Sequence, residues 1–168
     1  AGNSERGQDF AAKHADLNFV VAGTPEAAGD IARNVKKLAR EKYGREIQVF
    51  GQGYIVCRDT EAEAIAYRDH YVNERGDWDG VRNLLDTLVP NSQSALGDGW
   101  ESMAANLIAG YGAMPLVGTP EQVVASIKEL SDAGLDGITI SWVDYLAGIE
   151  QYDKVLRPML IEAGVRNS

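Results

Sequence analysis

Short apolar stretches with strand character alternate with amphipathic helical stretches along most of this 168-residue chain, and that alternation narrows its fold most. Leu17 to Val21, Ile47 to Val56 and Ile138 to Trp142 read as strands, with helical patterns before and after them. Strands separated by helices give parallel βα units rather than hairpins. Two helix starts share one solution, Gly23-Thr24-Pro25-Glu26 and Gly118-Thr119-Pro120-Glu121. In each, Thr is a good N-cap, Pro suits the first helical position, and Glu complements the positive end of the helix dipole. Gly44 and Gly134 close the two helices. A capping solution used twice is weak evidence of duplication on its own. Three strands barely make a stable open parallel sheet, but they fit comfortably within an eight-stranded barrel.

The remaining elements follow from local chemistry. Glu5 to Ala15 reads as a helix with a narrow buried stripe of Phe10, Ala11, His14 and Ala15. Ile31, Val35 and Leu38 mark the core face of the helix begun at Thr24. Thr60-Glu61-Ala62-Glu63 is a capping box for a helix running to about Glu74. The long strand alternates around small residues, with Ile47, Val49, Gly51, Gly53 and Ile55 on one side and Gln48, Phe50, Gln52, Tyr54 and Val56 on the other. Residues 75–115 mix Gly, Asn, Ser and Asp with short helical pieces at Val81 to Leu88 and Trp100 to Ile108, the pattern of an insertion. Leu146 to Leu156 is the last main helix, broken by Pro158.

Composition bounds the partners. Hydrophobic content of 45% and charged content of 24% are ordinary for a globular domain. A net charge of −9 argues against nucleic acid or an anionic membrane as the main partner. The single cysteine, Cys57, permits no intrachain disulfide and fits a reducing compartment such as the cytoplasm. His14 and His70 have no second ligand at metal spacing, so no metal site is expected. The turn Ala1-Gly2-Asn3-Ser4-Glu5-Arg6-Gly7 opens directly into a helix, where free backbone N–H groups and the dipole favour an anion. Such a turn ordinarily follows a strand, and none precedes it. The expectation is the later part of a larger protein.

Four stretches in order resemble the bacterial luciferase-like family of flavin-dependent monooxygenases. They are the opening turn through Asp16, Pro115 to Glu121, Ala133 to Gly137 leading to Ser141-Trp142-Val143-Asp144-Tyr145, and Val155 to Leu160. Within the family the chain looks closest to dimethylsulfone and pyrimidine monooxygenases, with alkanesulfonate monooxygenases a step away. The resemblance implies an α/β fold, the C-terminal half of a (β/α)8 TIM barrel with strands six to eight and an insertion before the last βα unit. It implies reduced FMN as cofactor, a separate NAD(P)H-dependent flavin reductase, the missing N-terminal half as partner, and a homo-oligomer. The flavin carries the O2 chemistry, while the protein binds, orients and excludes water. A deazaflavin-dependent oxidoreductase of the same superfamily, or a non-catalytic half-barrel that binds phosphate, are the alternatives.

The resemblance also assigns residues. Ser4 binds the FMN phosphate, with Gly2, Asn3 and Gly7 shaping the turn and Arg6 adding charge; the competing reading of Ser4 is a plain N-cap. Gln52 and Tyr54 stand where the alkanesulfonate branch carries Arg and His. That departure, and the lack of any Arg between Arg82 and Arg157, favours a neutral organosulfur or nitrogen-heterocycle substrate. Tyr54 is a candidate to stack on flavin or donate to substrate, against barrel packing as the plainer reading. Trp142 is a candidate pocket wall beside Ser141, although a buried aromatic is more often core. Residues 75–115 form the lid, with Tyr111 between Gly110 and Gly112 on its hinge side.

Overall fold

A computed structural model describes residues 4–89 and 91–167. Its centre is a parallel sheet of β1 (Leu17–Phe19), β2 (Gln48–Cys57), β3 (Met114–Gly118) and β4 (Gly137–Ser141). All three pairings involve β2. Gln48 N–H donates to Asp16 O and Phe50 O accepts from Val20 N–H, so the even residues of β2 bond toward β1. Arg58 N–H, also even, donates to Gly118 O, whereas Val49 O accepts from Asp136 N–H. Thus β3 continues along the edge of β2 that β1 opens, and β4 holds the opposite edge.

β3 corrects the expectation of three strands. Met114 and Pro115 fall inside the range read as an insertion, and a Pro in a five-residue run hides a strand. Pro115 is tolerated at the second position, opposite Tyr54.

The helices begin where local chemistry puts them. α1 (Glu5–His14) starts at Ser4, α2 (Pro25–Tyr43) at Thr24, and α7 (Pro120–Ala133) at Thr119. Thr24 Oγ1 accepts from Ala27 N–H, and Thr119 forms a full capping box with Gln122. Gly44 and Gly134 end α2 and α7 in the left-handed region, with φ of 63° and 113°. α3 (Glu61–Asp69) opens on the Thr60–Glu63 capping box and then widens into a π turn at His70–Glu74.

The connection to β3 carries α4 (Trp78–Leu88), α5 (Ser92–Leu96) and α6 (Gly99–Gly110). The helix expected over Leu146 to Leu156 is divided. α8 (Tyr145–Gln151) passes through a π turn at Tyr152–Leu156 into α9 (Arg157–Glu162). Pro158 therefore opens a helix rather than breaking one, because the first turn has no use for its missing N–H.

The odd face of β2 packs under α2 and α7 in the main core, with Val49, Ile55, Val35, Val123 and Leu130 buried together. Gly51 and Gly53 are small there for a reason. A Cβ at Gly51 would lie 2.8 Å from Leu135 Cδ2, and one at Gly53 2.8 Å from Ile138 Cδ1. Lys36 on α2 ties the layers, pairing with Asp136 at 2.7 Å while Asp136 Oδ2 accepts Val49 N–H. The other face is covered at the C-terminal end of β2, where Tyr54 and Val56 are buried with Ala64, Val72 and Ala109, and is open at its start, with Leu17, Phe19 and Gln52 exposed. The buried stripe of α1 is Ala11 and Ala12; Phe10 lies 67% exposed against His14. Of the expected stripe Ala11 and Ala15 pack into the core while Phe10 and His14 stay exposed, because a helix docked by small residues brings its neighbour close and leaves large ones at the rim.

Candidate functional site

In a parallel βα fold the helices run back against the strands, so helix N-termini and strand C-termini share one end. Ser4, Thr24, Thr60, Thr119 and Asp144 all cap helices at that end. A cleft of about 700 Å³ opens there. One wall comes from the end of β4 and its loop, Ser141, Trp142 and Val143. The other comes from the π turn and the insertion: Tyr71, Arg75, Asp77, Leu107 and Tyr111. Three residues expected in the site on sequence grounds therefore meet in one cleft: Ser141, Trp142 and Tyr111.

Each is held differently. Ser141 Oγ lies 3.4 Å from Gly53 O, to which it donates. Trp142 meets Tyr145 and Tyr152 edge-on, with ring centroids 5.9 and 6.2 Å apart. Gly148 of α8 packs on its indole, where an added Cβ would lie 2.7 Å from Trp142 Cδ2. The Trp142 Nε1–H is buried with no acceptor among the described residues. Tyr111 caps α6 in the left-handed region at φ 55° and is 71% exposed.

Tyr54 and Gln52 separate. Tyr54 stands opposite Ser141 in the ladder but is only 2% exposed, roofed by Gly110 of α6. Its hydroxyl accepts from Arg68 Nε at 2.9 Å. The ring has no open face, so it supports the cleft floor. Gln52, opposite Thr139, is exposed on the open sheet face and does not line the cleft. Burial pushes the Tyr71 phenol up, with Tyr54 acting the same way and Arg68 opposing. Tyr71 thus stays a neutral donor, to Ala109 O at 3.2 Å.

The opening turn lies on α1, apart from the cleft wall. Gly2 and Asn3 fall outside the described residues. Ser4 Oγ accepts from Gly7 N–H at 3.2 Å, and Gln8 N–H donates to Ser4 O. The first intrahelical bonds thus begin at Gly7 and Gln8, leaving Glu5 and Arg6 N–H to point off the helix end. The donor set fits a phosphate group: backbone N–H groups, a hydroxyl and the dipole of a ten-residue helix. Arg6 lines a surface groove with Asp9, Phe10, Lys13 and His14.

Sequence reasoning missed Arg75, Tyr71 and Arg68. Arg75 is exposed at the cleft, with no ion pair among the described residues. The absence of arginine between Arg82 and Arg157 pointed away from a cation here, yet Arg75 at the head of the insertion supplies one. The π turn that places it is invisible to a periodicity of 3.6 residues. Cys57 is buried with its thiol pushed up by burial, which fits packing rather than nucleophilic chemistry. Among the described residues no cluster of three His, Cys, Asp or Glu side chains is placed to hold a metal, and no helix is long and apolar enough to cross a membrane.

The profile of the luciferase-like monooxygenases matches residues 1–137. Pyrimidine monooxygenase RutA of Acinetobacter baylyi is 28% identical over 165 residues, covering 95% of this chain and 44% of the relative. The long-chain alkane monooxygenase LadA superposes with a TM-score of 0.80 at 23% identity, over 99% of this chain and 41% of that one. DmoA from Hyphomicrobium sulfonivorans gives 0.80 at 22% identity, over 97% and 41%. The chain thus spans about half the length of the curated relatives it matches, and its α/β fold matches half of a luciferase-like TIM barrel.

Proposed function

Since this chain belongs to the luciferase-like monooxygenase family, we propose that it supplies the phosphate-binding and lid-bearing half of a flavin-dependent monooxygenase. The complementary half barrel would cover the open sheet face, where Leu17, Phe19 and Val21 are exposed. FMN is the proposed cofactor, reduced by a separate NAD(P)H-dependent flavin reductase; when bound it supplies the O2-activating chemistry. Ser4 and the N–H groups of Glu5 and Arg6 hold the phosphate, with Arg6 adding charge and Gly7 shaping the turn. Trp142, Ser141 and Tyr111 wall the substrate space and exclude water.

The observation that carries this reading is the placement of the cleft. It lies at the C-terminal ends of parallel strands, the functional end of such folds, and the Ser4 turn shares that end. The substrate is a small neutral compound, an organosulfur or a nitrogen heterocycle, whose oxygen accepts from Arg75. The cation at the cleft, Arg75, is exposed to water, whereas a sulfonate calls for a desolvated cation, so a neutral substrate fits better.

The test is a comparison of FMN with riboflavin on the protein assembled with its complementary half. Ser4→Ala weakens FMN binding while leaving riboflavin binding unchanged, because only the phosphate contact is lost. No flavin binding by the complete barrel would overturn the proposal. Binding of a deazaflavin in preference to FMN would instead favour the oxidoreductase branch of the superfamily.

A further inference from the structure

Besides the apolar packing of Leu107, Ile108 and Ala109, the last turn of α6 is tied to the rest of the fold by contacts that meet around one side chain. Arg68, on α3, has its side chain 25% exposed. Its Nε donates to the Tyr54 hydroxyl on β2 at 2.9 Å, and its Nη2 donates to Asn106 Oδ1 on α6 at 3.4 Å. One guanidinium thus spans the sheet and the insertion. Three residues on, Tyr71 donates to Ala109 O. Next to that carbonyl, the backbone of Gly110 rests on the Tyr54 ring, where a Cβ would lie 2.7 Å from Tyr54 Cγ. The following residue is Tyr111, at the mouth of the cleft. The remaining charge near Arg68 is Asp69, 3.7 Å from Nη1 and half-exposed, too weak a partner to direct the fork.

We infer that Arg68 is a positioning residue for the cleft: by bridging Tyr54 and Asn106 it fixes the last turn of α6, and so sets where Tyr111 stands. The planar fork is what the job requires. Nε and Nη2 present separate N–H donors at a fixed spacing in one rigid plane, whereas a lysine ammonium is a single point donor that cannot reach both oxygens in fixed geometry. The bridge is partly desolvated and includes a charged donor, so its loss is felt more than that of a surface bond. Tyr54, the residue whose hydroxyl seemed on sequence grounds to belong to the chemistry, anchors this bridge. That the cleft takes substrate rests on the function proposed above; the bridge itself does not.

Native-state amide exchange on the full chain, with no flavin or substrate, tests the inference independently of that function. Arg68→Met removes the bridge at similar volume and should speed exchange of the Asn106 to Tyr111 amides by roughly 10- to 100-fold. Amides of α2 and α7 should keep their rates. Tyr54→Phe keeps the ring under Gly110 and deletes the acceptor, so it should speed the same amides. Adding it to Arg68→Met should add little, because the Arg68–Tyr54 bond that it removes is already gone. Arg68→Lys should recover only part of the protection. Unchanged exchange at Asn106 to Tyr111 in both Arg68→Met and Tyr54→Phe would overturn the inference. So would an equal rise in α2 and α7, which would mean general loosening.

Discussion

Gly99 and Gly110 stand at the two ends of α6, and replacing each by Ala should change stability in opposite directions. At Gly99 an added Cβ meets nothing within 4 Å. Ala there gains helix propensity and reduces unfolded-state freedom, so the protein should be unchanged or stabilised by up to about 1 kcal/mol. At Gly110 the Cβ would lie 2.7 Å from Tyr54 Cγ and 3.0 Å from its Cβ, and closer still to Cδ1. The Tyr54 ring cannot yield, since it is 2% exposed and its hydroxyl is held by Arg68. Overpacking of this kind costs about 2–3 kcal/mol, against about 1 kcal/mol gained in propensity. The net loss should be about 1–2 kcal/mol. In urea, with a slope near 2 kcal/mol per M, the midpoint should fall by roughly 0.5–1 M. Thermal unfolding should fall by about 2–8 °C. Shrinking the ring in the double variant Tyr54→Leu with Gly110→Ala should cost less than the two single losses added together. If Gly110→Ala were as benign as Gly99→Ala, α6 would not be seated on Tyr54, and the cleft built on that seating would fail with it.

Other predictions follow from individual groups. Asn18 is fully buried on the helix side of β1, and neither side-chain polar atom has a partner among the described residues. Asn18→Leu should therefore raise the urea midpoint, by about 1–2 kcal/mol of stability; a loss instead would mean the amide is paired. Cys57 is 1% exposed and its thiol is raised above the usual 9.0 by burial, so at pH 8 it stays protonated. A disulfide reagent should label it only as fast as the protein opens, and rapid labelling of the folded chain would refute that placement. Asp9 is lowered below 3.8 by hydrogen bonds first from Lys42 and then from Tyr43, tying α1 to α2. Its folded pKa lies below the unfolded one, so its contribution is present above about pH 4 and is lost as pH falls through the folded value. Asp9→Asn should flatten that part of the acid limb in a urea-midpoint series, and an unchanged limb would refute it.

Much of the local structure was legible in the sequence because it is decided within a few residues. A Thr side chain reaches the backbone N–H three residues on, so Thr24, Thr60 and Thr119 announce their helices without help from the fold. A residue without Cβ accepts the left-handed conformation, so Gly44 and Gly134 announce the ends. The alternation of Ile47 to Val56 likewise fixed which side chains share a face, since that follows from the pleat alone. The order of strands and helices, and through it the parallel sheet, came from the same local signals.

Tertiary structure decided what depended on neighbours far along the chain. Met114–Gly118 becomes a strand only because β2 leaves an edge open beyond β1; its own five residues carry a Pro and little pattern. The π turn at His70–Glu74 changes which residues face the cleft and brings Arg75 to it. Tyr54 and Gln52 share a face by parity, yet one is roofed by α6 and the other lies exposed, a difference made by a helix about fifty residues away. The sequence by itself determined where the capped helices start and stop and which side chains of the long strand share a face, because capping and pleating act over a few residues. Only the packed fold decided which of those sides is covered, because burial depends on what long-range contacts bring against it, and the cleft is made of such contacts.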